Sequence, residues 1–186
     1  LFSGWRAQFG DQAQMLVVQL ANFGQRQSQP GPSSWADLRQ EQLDAVMAAP
    51  NAALVTAIDL GEPTDIHPAN KNTLGRRLAH AFMGQQMPMP QSAKREGSSV
   101  TVRFTGVDGE LLAYGGAAVL GVELCGETQE SCRFVQPELM GDRMVIPVAP
   151  DATVTKVRYA WADAPVVNLY DGNGDAISGF ELAITE

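Results

Sequence analysis

The sequence predicts an α/β chain in two parts. Residues 1–84 read as a piece of parallel sheet with flanking helices, 85–97 as a linker, and 98–186 as a small antiparallel β-sandwich or jelly roll. Three observations carry this. Short, continuous apolar runs alternate with helical segments in the first part. The stretch QQMPMPQSAKREG then interrupts the pattern. From Ser98 onward apolar and polar residues alternate between turns rich in glycine and aspartate.

Taken in order, Phe2, Trp5 and Phe9 recur at helical spacing, so the chain opens inside a helix. MLVVQL (15–20) is an apolar run short enough for a strand covered on both faces. The loop ANFGQRQSQPGPSS (21–34) is long for a compact domain, and such loops are often functional. Ser34 followed by Asp37 resembles a capping box ahead of a helix over 35–49. ALVTAIDL (53–60) is a second strand, and PANKNTLGRRLAHAFMG (68–84) a further helix with Pro68 in its first turn. In the second part Val100, Val102 and Phe104 alternate with polar residues, and VDGE, MGDR and DGNGD supply turns between about eight strands.

Composition narrows the function. The net charge of −8 repels phosphate backbones, which argues against a nucleic-acid partner. No apolar run approaches a membrane span. The first residue is Leu1 rather than Met, and no signal peptide is visible, so the chain reads as one cut from something longer. Cys125 and Cys132 flank the turn-like GETQES and face each other across a hairpin, either as a disulfide in an oxidising compartment or as reduced thiols.

In open parallel sheets, sites form beyond the carboxyl ends of the strands. Two segments leave such ends: Ala21-Asn22-Phe23, and Gly61 to His67. His67 is one of two histidines, and a histidine there suits general base work because it titrates near neutrality. Asp65 is a partner for its second nitrogen; the alternative role for His67 is to cap the following helix. On the helix 35–49, Gln42 interrupts an apolar stripe with Arg39 beside it. Both line a crevice with Asn22, or Gln42 is a buried amide bonded to backbone. A serine nucleophile is missing, since no Gly-x-Ser-x-Gly elbow occurs. DGNGDAISGFEL (171–182) imitates a calcium loop but has Ala176 and Leu182 where glycine and glutamate are required, so it reads as a turn, and neither metal nor cofactor is expected.

VQLANF, WADLRQEQ, TAIDLGEPTDIHPANKNTLGRRLA and VRYAWADAPVVNLYDGNG follow one another in this chain. In this order they resemble the C-terminal half of the sialate O-acetylesterase family of SGNH-type serine hydrolases, from about residue 1 to about residue 175. The resemblance implies an SGNH-like parallel sheet and removal of O-acetyl groups from sialic acids or other sugars. It places the catalytic histidine at His67. Many SGNH hydrolases carry an aspartate three positions earlier, where this chain has Thr64; Asp65 stands two positions before, so His67 works either with Asp65 or in a Ser–His dyad. Asn22, Arg39 and Gln42 lie in matching segments. The family's serine motif and its oxyanion donors lie upstream, which implies a partner polypeptide that supplies them, in a secreted or periplasmic setting. The competing readings are a non-catalytic glycan-binding or scaffold module and a lipase or thioesterase on the same half-fold.

Overall fold

A computed structural model describes residues 1–186. Helix α1 (Phe2–Phe9) is followed by β1 (Met15–Gln19), α2 (Ser34–Met47), β2 (Ala52–Thr56) and α3 (Lys71–Phe82). The remainder is β3 (Met89–Glu96), β4 (Ser99–Thr105), β5 (Leu112–Ala113), β6 (Val122–Cys125), β7 (Arg133–Phe134), β8 (Glu138–Met140), β9 (Arg143–Pro147), β10 (Lys156–Tyr159), β11 (Leu169–Tyr170) and β12 (Phe180–Thr185). No helix is long and apolar enough to cross a membrane.

Strands β1 and β2 pair in parallel, with Met15 opposite Ala52 and Gln19 opposite Thr56. Period-two alternation sends their side chains to two faces. Val17 and Leu54 pack with Leu43 and Val46 of α2. Leu16, Ala53 and Val55 pack with Leu74, Leu78 and Ala81 of α3. Each face is thus covered by one helix, which is why both runs are apolar throughout. The helix starts differ from the sequence expectation. Ser33, not Ser34, caps α2, its hydroxyl accepting from the Ala36 amide at 3.0 Å. Asn70 caps α3, so Pro68 lies ahead of the helix rather than in its first turn. Helix α1 forms as its spacing predicts, but Trp5 and Phe9 point outward and are exposed.

The second half is a single hydrogen-bonded sheet of eight strands in the order β7-β6-β10-β12-β3-β4-β9-β8. It curls about β12, whose first residues pair antiparallel with β10 while Ile184 and Thr185 pair in parallel with β3. The two halves of this sheet face each other across one core, where the Phe180 ring lies 5.8 Å from Phe104 and 5.9 Å from Tyr159. The expected antiparallel sandwich is therefore one continuous curled sheet with a parallel junction. The expected linker at 85–97 is corrected as well: residues 89–96 are β3, a central strand. Its sequence misled because Pro90 and Gln91 sit at a register irregularity, where a proline does no damage to the ladder. The core also takes in Leu43, Val46, Leu54 and Ile58, so the α/β layer and the curled sheet share apolar contacts. An SGNH-like sheet of many parallel strands is not part of these residues; the parallel sheet has two strands.

Candidate active site

The loops leaving β1 and β2 meet, as neighbouring parallel strands require. The Gly24 amide donates to Pro63 O at 2.9 Å, and the Phe23 amide to Asp163 O at 3.1 Å. Gly61 packs so closely that an added Cβ would stand 2.2 Å from Asn22 O and 2.3 Å from its Oδ1. Only glycine permits this approach. Asn22 Oδ1 is buried there with no hydrogen-bond partner, a rare condition for a polar atom.

His67 stands on the β2 loop, with its side chain 86% exposed. Asp65 accepts the His67 backbone amide at Oδ1, 2.8 Å away, and the same oxygen lies 3.3 Å from His67 Nδ1. The His67 amide, first, and its imidazole hold the Asp65 carboxyl below the usual carboxylate range. The aspartate thus stands beside Nδ1 of an imidazole that is otherwise open to solvent. Helix α3 begins beyond Asn70, whose Oδ1 accepts from Thr73 at 3.1 Å, so capping is done by Asn70 and not by His67.

Arg39 and Gln42 lie beneath the crevice rather than in it. Arg39 is 1% exposed, and its guanidinium donates to the carbonyls of Leu20, Ala21, Ala162 and Asp163 at 2.7–3.1 Å. Burial lowers its pKa to about 10, opposed by the Asp163 charge, so it stays cationic at neutral pH. Gln42 donates to Val18 O and accepts from the Leu20 amide, closing the backbone where β1 ends. Trp35 Nε1 adds a bond to Ala21 O at 2.8 Å. Helix α2 therefore holds the Asn22 loop by its backbone. Among the serines near these loops, Ser33 Oγ donates to Asp163 at 2.6 Å, but it is buried and used as a cap. No serine hydroxyl hydrogen-bonds His67; its only such contacts are with Asp65.

A buried charge network went unread in the sequence. Arg77 of α3 forms a two-point ion pair with Asp59 at 2.7 and 2.9 Å and meets Asp175 at 3.3 Å. Tyr170 donates to the second Asp59 oxygen at 3.3 Å. Asp171 in turn accepts the amides of Asn173, Asp175 and Asp108, so DGNGD is a turn built on its own aspartate rather than a metal loop. Burial raises the Asp175 pKa, with the Asp171 charge adding and Arg77 opposing. The network clamps the base of the loop that carries His67. The signal was present in Arg77, a charged residue between Leu74 and Leu78 on a largely apolar helix face.

No family model matches this sequence, and no curated protein does. Among solved structures, the chain is similar to a carbohydrate acetylesterase from Xanthomonas citri, at 30% identity and a TM-score of 0.82. The match covers 97% of this chain and 44% of that one, so the chain spans less than half of that protein's length. The N-terminal part of the bacterial S-layer protein SbsC matches at 16% identity and a TM-score of 0.37, covering 81% of this chain and 34% of the other, too low to support a shared fold.

Proposed function

We propose that these residues form part of a carbohydrate O-acetylesterase and supply its general base, His67, while a serine nucleophile and oxyanion donors come from polypeptide outside them. The likeness to a carbohydrate acetylesterase across 97% of the chain is the observation that carries this reading. The site's geometry supports it. In this reading His67 Nε2 takes the serine proton as the hydroxyl attacks the acetyl carbonyl, then returns it to the departing sugar oxygen. Water, deprotonated by the same nitrogen, releases acetate and restores the serine. Asp65 stabilises the imidazolium through Nδ1. Asn22 lies on the adjoining loop and is the substrate-side residue in this reading; Arg39 and Gln42 serve it by fixing that loop. The sequence resemblance favours an O-acetylated sialic acid over other acetylated sugars as the substrate in this reading. The Cys125–Cys132 disulfide, with its sulfurs 2.03 Å apart, supports a secreted or periplasmic setting.

Steady-state kinetics of the complete enzyme on O-acetylated sialic acid and O-acetylated xylose test this. His67→Ala lowers kcat by about 10³-fold or more, a triad-scale loss. Asp65→Asn costs about tenfold, because a carboxylate in open solvent contributes little. Near-wild-type turnover by His67→Ala would remove His67 from the chemistry. Faster turnover of long-chain acyl esters than of acetyl esters would reassign the substrate.

A further inference from the structure

One half-open cavity lies away from the His67 loop, and it shares Gln27 and Gln29 with the loop that leaves β1. A cavity of about 320 Å³ sits over the outer face of β6 and β10. Its floor follows from strand register. Phe134, Glu123, Arg158 and Glu181 are successive Cα partners across β7, β6, β10 and β12, so their side chains leave one face of the sheet. Arg158 is drawn away from Glu123. Its Nε donates to Glu181 at 2.6 Å, its Nη1 to Gln129 at 2.7 Å, and its guanidinium carbon lies 4.4 Å from the centre of the Trp161 ring. Glu123 is left over: it is 1% exposed, and its Oε2 has no hydrogen-bond partner. Burial pushes its carboxyl up to about 7, against the pull of Arg158. The sulfurs of Cys125 and Cys132 lie within 4.8 Å of it, but they are bonded to each other and cannot ligate a metal.

The cavity's walls are apolar at Val119, Leu120 and Pro165, and amides from Gln27, Gln29 and Gln136 line it. Its volume is at the small end for ligand sites, enough for one ring rather than a chain. Apolar walls, neutral amides and a single carboxyl suit a ring with one C–H face and several hydroxyls. An anionic ligand would meet the Glu123 carboxylate without a free cation to offset it, because Arg158 is committed elsewhere.

We propose that this cavity is a second saccharide site, separate from the His67 loop, that takes one neutral pyranose unit with a ring hydroxyl donating to Glu123. The choice of a sugar as ligand rests on the carbohydrate reading above; the site itself rests on Glu123 and the cavity.

Saturation-transfer NMR on the 186-residue chain tests it, with methyl glucopyranoside, methyl xylopyranoside, N-acetylneuraminic acid and propylammonium as probes. Transfer to a neutral pyranoside is expected, with a Kd of about 1 mM, and none to N-acetylneuraminic acid. At pH 8, where the carboxyl is ionised, Glu123→Gln weakens binding about fivefold, because a charge-assisted bond becomes a neutral one. Val166→Trp, at a half-exposed lining position where the core is not disturbed, weakens it more than tenfold. Failure of both neutral pyranosides to show transfer, undiminished binding by Val166→Trp, or preferential binding of propylammonium would overturn the proposal. Binding here needs no turnover. An inactive esterase with intact binding counts against the His67 reading alone, and an active enzyme with no binding counts against this site alone.

Discussion

At the scale of single residues, a position on a loop is legible in the sequence, whereas the partners of a buried side chain are not. His67 falls on an exposed loop between β2 and α3, the place its neighbours in the sequence imply. Arg39 was legible only as a charge beside an apolar stripe; that it spends its donors on four carbonyls depends on where the chain returns 123 and 124 residues later, at Ala162 and Asp163. Removing it leaves buried acceptors unpaired, so Arg39→Met is expected to lose about 3 kcal/mol or more in denaturant unfolding. Arg39→Lys should lose nearly as much, since one ammonium cannot reach carbonyls spread around a planar fork. Glu123 supplies a pH test. Its folded pKa, near 7, lies above the ordinary 4.5. Below about 4.5 it is protonated in both folded and unfolded chains. Between these values the unfolded chain releases the proton first, so stability falls as pH rises and levels off above 7. Glu123→Gln lacks this loss. The difference in Tm between variant and wild type should therefore shift in favour of the variant from pH 4 to pH 8, as thermal scans at the two values will show.

At the scale of elements, strands β1 and β2 and helices α2 and α3 were readable because each carries its own period. Boundaries and junctions were not. The cap moved from Ser34 to Ser33 because Ser33 also reaches Asp163, a tertiary contact no local pattern contains. The junction of the β1 and β2 loops hinges on Gly61, whose role depends on Asn22 arriving against it. Gly61→Ala must push the two loops apart. It is expected to cost about 1–3 kcal/mol of stability and to depress turnover of the complete enzyme more than the stability loss explains. Equal turnover at a temperature where both proteins are folded would show that the loops tolerate separation.

At the scale of the whole molecule, the two parts that differ in sequence pattern share one core. Residues 98–186 omit β3, which lies between β12 and β4 in the sheet, and they omit Leu43, Val46, Leu54 and Ile58 from the shared core. A fragment of 98–186 alone is therefore expected to lack the dispersed amide NMR spectrum of the 186-residue chain; a dispersed spectrum from the fragment would mean that the curled sheet closes without β3. The sequence showed alternating strands there but not their order, because β6 with β10 and β12 with β3 are pairings across long separations, and a period-two pattern names a face, never a neighbour.

β12 has one more implication, for how the protein is made. It alone hydrogen-bonds both β10 and β3, and it brings Phe180 between rings that the rest of the chain has already provided. On the ribosome, β1 with β2, and β3 with β4 and β9, can pair as they emerge, whereas the two halves of the curled sheet stay apart until residues 180–185 are out of the exit tunnel. During that interval two open strand edges and an uncovered apolar face are available to chaperones. A stall or premature stop shortly before Phe180 would leave nearly all of the strands synthesised and none of the closure achieved.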